Sequence, residues 1–351
     1  MNKIEDKCIA FEKNINNVVQ FINFIEMQEE EISNPDALEL VREVTHSSVP
    51  YNAMIISLYG NVELFIDEIA EAYIDKIYKL VGKYSELPKK MREKHEMTSG
   101  EYLYNSGRFN NYDITIEEVV SNLNECLQGK DNAKMNMKML LKHGGNLKSE
   151  QTFKFFMELG VENIRAKFFQ SETTVNAYAK QKGLSCDDAR ARLSSQNKEE
   201  SSINFFEELD NLVEQRNQVA HSGRVDEKKS LDYIKENTVP FLLLFGKVLS
   251  EILISDILKL LIDKNMLVEF PIIKDVFGNS IIWLELGNNS LTVGDEIIYT
   301  NGHAVGCCKI LSIRVNDQEV SMVESSQNRE ATIGVDKKVK KNWKFFKYAS
   351  I

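Results

Sequence analysis

From Ile4 to Ile25 apolar residues recur at three- and four-residue steps, through Cys8, Phe11, Ile15, Val18 and Ile22. That spacing traces one stripe of an α-helix and predicts a helix over residues 3–31. Asn34 before Pro35 breaks it, and a short helix is expected from there to about Thr45. A second long helix is expected from near Pro50 to about Lys83. A third, capped by Ser201 or Ser202 and carrying Phe205, Leu209, Leu212 and Val219 on one stripe, ends at Gly223. A fourth starts between Asp226 and Ser230, kinks at Pro240 and runs to about Lys264. Five prolines and 17 glycines in 351 residues suit such long elements. The two pairs are expected to pack as an antiparallel four-helix bundle.

Residues 84–200 read as an α-helical insertion of shorter segments. Thr115 to Glu118 is a capping-box pattern opening a helix that ends at Leu127. The run "GKDNAKMNMKMLLKHGG" reads as another helix, stopped by Gly144 and Gly145. It would stack Lys130, Lys134, Lys138 and Lys142 along one face. Two more helices are expected near 148–158 and 187–194. After residue 265 the period becomes strand-like, in "IIWLEL", "DEIIYT", "GCCKILSIRV" and "QEVSMVE", with turn chemistry between. The expected fold is therefore mainly α: a bundle from 1–83 and 201–263, the insertion at 84–200, and a small barrel-like β domain of four or five strands at 265–351.

Composition narrows the functions. An apolar fraction of 43% supports an ordinary globular core. The most apolar run, residues 241–262, carries Lys247, Glu251, Asp256 and Lys259, so it reads as a buried helix and no membrane span is expected. The N-terminal residues lack an apolar signal core. Five cysteines without a CxxC suit reduced thiols, and a cytoplasmic location is the expectation. A net charge of -10 argues against indiscriminate nucleic-acid coating. The acidic excess falls in the long-helix bundle. Residues 337–348, "KKVKKNWKFFKY", hold six lysines and four aromatics. Lys340, Lys341, Trp343 and Lys344 there, like the four insertion lysines, are candidate nucleic-acid contacts, the tail by base stacking as well as charge.

The stretch "LVEQRNQVAHSG", residues 212–223, carries candidate chemistry. Arg216 lies on or beside the buried seam of its helix, where a guanidinium needs an anion: a phosphate, or a carboxylate such as Glu63 or Glu214. His221 sits in the last turn, where imidazolium is favoured and where unwinding could free its side chain. On a regular helix the two would point about 140° apart. No DxD cluster, HExxH, P-loop or GxGxxG is present, so no metal or cofactor is expected. His303, in "GHAVGCC", is given no catalytic role.

These residues resemble the signature of HEPN domains, named for higher eukaryotes and prokaryotes nucleotide-binding: arginine, a polar residue, three more, then histidine, near the end of the third helix of a four-helix bundle. Arg216, Asn217 and His221 occupy the marked positions. "YNAMIISLYGNVELFIDEIAEAY" also looks like the second helix of prokaryotic HEPN-like nucleases, with Glu63 mid-helix. The resemblance covers about 1–83 and 201–263. It implies a metal-independent endoribonuclease working as a homodimer, with the motif helices of two subunits facing one cleft. His221 would move protons as an RNA 2′-hydroxyl attacks the adjacent phosphate, Arg216 would hold that phosphate, and Asn217 would position them. Products would carry a 2′,3′-cyclic phosphate. Glu63 would be a supporting residue. Such proteins commonly act as toxins or in antiviral defence, sometimes beside an antitoxin or regulatory partner. The alternative is a HEPN module that binds nucleotides, RNA or a partner without cutting.

Overall fold

The structure is a computed structural model describing residues 2–32, 34–45, 47–105, 114–196, 205–300, 305–324 and 329–348. It is mainly helical, with a curled antiparallel sheet at the C-terminal end. The chain divides into two compact units, Met1–Ile252 and Leu253–Ile351. The boundary lies inside one long helix rather than at a linker.

In the first unit α1 (Asn2–Glu31), α2 (Pro35–Thr45) and α3 (Ser48–Val81) form as the periodicity predicts. Ser47 caps α3 by accepting from the Val49 N–H, and Gly82, left-handed at φ 74°, ends it. α3 is the central helix. It buries Leu58, Val62, Phe65, Ile66, Ile69 and Tyr73 and packs against α1 and against α11 (Glu207–Ser222). The capping residues Ser201 and Ser202 fall outside the described residues.

After α11 come a single turn, α12 (Leu231–Tyr233), a wide π-turn over Ile234–Thr238, and α13 (Val239–Asp263). The irregularity anticipated at Pro240 thus sits just ahead of it. Proline has no N–H to donate into the preceding turn, and the Val239 N–H reaches back five residues to the Ile234 carbonyl instead. Further along, Gly246 of α13 lies against Phe11, which stacks on Phe65 at 4.4 Å. A methyl added at Gly246 would stand 2.7 Å from the Phe11 ring. Gly246→Ala is expected to cost about 1–3 kcal/mol through this overpacking, read as a lower denaturant midpoint. An unchanged midpoint would show that Phe11 can yield.

The insertion contains α4 (Lys89–Tyr104), α5 (Ile116–Leu127), α6 (Met137–Leu140), α7 (Ser149–Glu158), α8 (Ile164–Gln170), α9 (Glu172–Lys182) and α10 (Cys186–Gln196). The capping box on Thr115 and Glu118 is formed. The lysine stripe is not. Only the four residues of α6 are helical in that run, because Gly129 and Asn132 take left-handed turns and the Asn136 N–H is held by the buried His95 ring, 2.9 Å away. Lys130 turns back to Glu125 and Lys142 reaches Glu101, so Lys130, Lys134, Lys138 and Lys142 share no helix face.

His95 is the polar centre of the insertion and is fully buried. An amide N–H can only donate, so Nε2 accepts from Asn136 and the ring proton sits on Nδ1, 3.0 Å from the Tyr84 hydroxyl. Asn136 in turn bonds Ser99 and the Val119 carbonyl. Burial lowers the His95 pKa to about 4.

Among the described residues the second unit holds ten strands, where four or five were anticipated. They are β1 (Leu267–Glu269), β2 (Ile273–Phe277), β3 (Ile281–Glu285), β4 (Leu291–Thr292), β5 (Glu296–Thr300), β6 (Val305–Val315), β7 (Gln318–Val320), β8 (Met322–Val323), β9 (Glu330–Val335) and β10 (Lys344–Tyr348). The eight-stranded sheet runs β1-β10-β5-β6-β9-β3-β2, with β7 on β6, and β4 pairs β8 separately. Its core includes Ile282, Leu284, Ile297, Cys308, Ile310, Ile333 and Phe345. Burial pushes the Cys308 thiol up to about 12, while Cys307 points to the other face.

The basic, aromatic tail is a sheet strand. Phe345 and Phe346 are buried, and Trp343 stacks on Tyr299 at 4.9 Å and packs on the core. These aromatics hold the sheet and are not spread for bases. Lys344 pairs with Glu269 and Lys341 with Asp275, leaving the exposed Lys340 on the preceding turn. Among the described residues no helix is long and apolar enough to cross a membrane.

Candidate active site

α11 buries Leu209, Leu212 and Val213 toward α3, and Arg216 continues that face one turn later. Its guanidinium lies over the Tyr59 ring, 4.8 Å from the centroid. Nη1 donates to Asn217 Oδ1 at 3.3 Å and, at 3.5 Å, to Asn146 Oδ1. Both acceptors are neutral amides. Neither carboxylate considered from sequence is the partner: Glu214 pairs with Lys148, and Glu63 receives the Tyr59 hydroxyl at 3.4 Å. Among the described residues Arg216 has no carboxylate partner. A half-buried guanidinium seated on an aromatic and held only by amides keeps its charge uncompensated, which suits it to an anion from outside.

α11 does not unwind at His221. It stays helical through Ser222, and the Gly223 N–H bonds the Val219 carbonyl with Gly223 left-handed at φ 72°. Asn52 of α3 donates to the Gly223 carbonyl at 2.7 Å, fixing the helix end. His221 therefore follows the helical projection and is exposed, while Arg216 faces Tyr59. Within one chain the motif arginine and histidine diverge. Asn217 stays beside Arg216.

Three residues at this face escaped the sequence reading. Tyr59 supplies the ring under Arg216, and its hydroxyl also accepts from the Leu147 N–H at 3.4 Å. Burial raises its pKa and keeps the hydroxyl protonated. Asn146 and His143 come from the loop between α6 and α7. The His143 ring is 3.1 Å from Asp67, and that hydrogen bond raises its pKa above the usual histidine value. His143 also lines a cleft of about 280 Å³ with Lys94, Lys142, Lys154 and Phe155. The only local signal was "KHGG", read as a helix stop; its partners on α3 lie 76 and 88 positions away.

Residues 11–255, more than two thirds of the chain, match the family described as RiboL-PSP-HEPN. The chain belongs to the RiboL-PSP-HEPN family. The match spans all of α3 and α11 and takes in residues 84–200, so the segment read as an insertion lies inside the family's own span. It stops short of the β strands. No curated protein matches the HEPN chain in sequence. Among the described residues no three His, Cys, Asp or Glu side chains stand together as a metal-holding group. His303 lies outside the described residues.

Truncating Tyr59 isolates the seat of the arginine. Tyr59→Leu removes the ring and leaves Arg216 free to change rotamer. We expect RNA affinity to fall about 3- to 30-fold, the worth of a desolvated cation–π contact, measured by fluorescence anisotropy. Unchanged affinity in a folded variant would show that the ring does not set the guanidinium's position.

Proposed function

We propose that this HEPN protein is a metal-independent endoribonuclease anchored by Arg216 and worked by His221. The observation that carries the reading is the state of Arg216: half-buried, seated on Tyr59, flanked by two amide oxygens, and without a carboxylate partner among the described residues. A guanidinium so placed matches a phosphodiester bidentately and stabilises charge developing on its oxygens. HEPN domains are frequently ribonucleases, and α1, α3, α11 and α13 are our assignment for the four-helix bundle expected of them.

In the proposed step the RNA 2′-oxygen attacks the adjacent phosphorus as its proton passes to a base. The bond from phosphorus to the 5′-oxygen breaks, and that oxygen takes a proton from an acid. His221, exposed at the helix end, serves in this proton transfer. The products are a 2′,3′-cyclic phosphate and a 5′-hydroxyl. DNA lacks the nucleophile and is spared. Asn217 holds Arg216, and Glu63 supports it only through Tyr59. The exposed lysines at the α6 loop and at 340–341 remain RNA-contact proposals as separate surface charges.

The test is incubation of purified protein with RNA and DNA in EDTA, with product ends examined by mass spectrometry. RNA-only cleavage leaving cyclic phosphate ends supports the reading. RNA bound tightly but never cut, in EDTA or with added Mg²⁺, favours the non-catalytic module. A cytoplasmic toxin or antiviral-defence role, with an antitoxin or regulatory partner, predicts growth arrest on expression that His221→Ala relieves.

A further inference from the structure

The cleft beside His143 lies between two helices of the first unit, and its charge is not closed by its own chain. α4 and α7 line it, together with Lys142, His143 and Gly144 after α6. Each helix offers one polar face: Lys94, Thr98 and Glu101 on α4, and Gln151, Lys154 and Glu158 on α7, at steps of three and four. Lys94 is the telling residue. Its side chain is 4% exposed, and an ammonium buried that deeply has three donors to satisfy. Among the described residues it makes one hydrogen bond, to Glu158 Oε2 at 2.7 Å. It also stands over the Phe155 ring, 4.9 Å from the centroid, and the His143 ring meets that same ring edge-on at 5.6 Å. Buried Phe155 thus brings two basic side chains to one cleft. The remaining donors of Lys94 are left for whatever fills it.

The charges name the class of occupant. Lys142 pairs with Glu101 at 3.3 Å and His143 with Asp67 at 3.1 Å. Lys154, exposed on α7, has no carboxylate partner among the described residues. With His143 charged, the basic groups of the cleft therefore outnumber the carboxylates that answer them by one. An anion closes that balance. Lys94, Lys154 and His143 come from α4, α7 and the loop, so their donors approach from different elements. Point charges arranged around a space suit a tetrahedral phosphate, whereas a planar carboxylate is matched best by a guanidinium fork. The volume of about 280 Å³ lies at the lower edge of the range for small-molecule sites. It admits a phosphate with one small group beside it, next to the exposed Met97.

We propose that the α4–α7 cleft binds a small phosphate monoester through Lys94 and Lys154, and that the occupant fixes the loop that seats Arg216. The loop makes the link. Gly144 lines the cleft, and Gly145, left-handed at φ 36°, follows it. Next come Asn146, which accepts from Arg216, and Leu147, whose N–H reaches the Tyr59 hydroxyl. Two adjacent glycines give this segment backbone freedom that other residues lack. A phosphate that holds His143 at one end of the segment takes that freedom away, and Asn146 stays on the arginine. Neither part requires that the protein cut RNA.

Calorimetric titration of the full chain with ribose 5-phosphate, at fixed ionic strength, tests the site, with ribose as the uncharged control. Ribose 5-phosphate is expected to bind and ribose is not. Lys154→Gln should weaken binding about tenfold, the worth of one charge-assisted hydrogen bond, while Lys180→Gln, an exposed lysine on α9, leaves it unchanged. Lys94→Met removes the buried ammonium and should weaken binding at least as much. If that variant does not fold, the exposed Lys154 decides the case alone. Hydrogen exchange across residues 143–147 should slow when ribose 5-phosphate is bound. Failure of ribose 5-phosphate to bind, or equal affinity in wild type and Lys154→Gln, overturns the site. Unchanged exchange with the site filled overturns the link to Arg216. Both readouts stand whether or not RNA is cut, so a failure here is distinct from a failure of the ribonuclease reading.

Discussion

His221→Ala is expected to lower RNA cleavage by about 10²- to 10⁴-fold, the usual worth of a positioned proton-transfer group, while RNA affinity changes little. The two readouts separate because His221 is exposed at the end of α11 and, among the described residues, has no side-chain hydrogen bond or ion pair. Arg216→Ala should lose about 10²- to 10³-fold in rate and also weaken binding, because in the proposed step the guanidinium holds the phosphate before and during the reaction. Arg216→Lys should rescue little: an ammonium restores the charge but not the planar fork that lies over Tyr59. Cleavage in EDTA that survives His221→Ala would sink the mechanism and leave the motif as a well-capped helix end.

The second large effect concerns stability. The folded pKa of His95, about 4, lies below the unfolded value of 6.5. The unfolded chain therefore binds the proton more readily between those values. The stabilisation is complete above pH 6.5 and is lost as pH falls toward 4, by about 3 kcal/mol in total at 1.36 kcal/mol per unit. Protonation would also place a donor on Nε2, facing the Asn136 N–H that now donates to it. Urea midpoints measured at pH 7.5, 6 and 5 should fall steeply for wild type. In His95→Gln the fall should be shallower, from a lower starting point. An equal slope in both proteins would assign the acid sensitivity to other groups.

The long helices were legible because each repeats one signal many times: the stripe from Ile4 to Ile25, the caps at Thr115 and Gly223. The Lys130–Lys142 run failed because a four-residue charge period is equally available to a chain that turns. A buried histidine 41 positions upstream of Asn136 decided the matter. The tail failed for a related reason. Lysine and aromatic content reads as a nucleic-acid surface, yet alternation along Lys344–Tyr348 puts Phe345 inside a sheet that only β1 and β5 complete. At the site, Arg216, Asn217 and His221 stood out in twelve consecutive residues. Tyr59, Asn146 and His143 did not, since what joins them is tertiary.

The seat of Arg216 also sets an order of events while the chain is being made. Its three parts lie far apart along the chain: Asn146 comes 87 positions after Tyr59 and 70 before Arg216, and its neighbour Leu147 bonds the Tyr59 hydroxyl. At synthesis rates of about 5–20 residues per second, the loop and α3 have seconds to settle before the arginine emerges. His221 follows within a second at most, and the β unit comes last. A nascent HEPN chain thus acquires the arginine of its candidate site late, onto a surface already built to receive it.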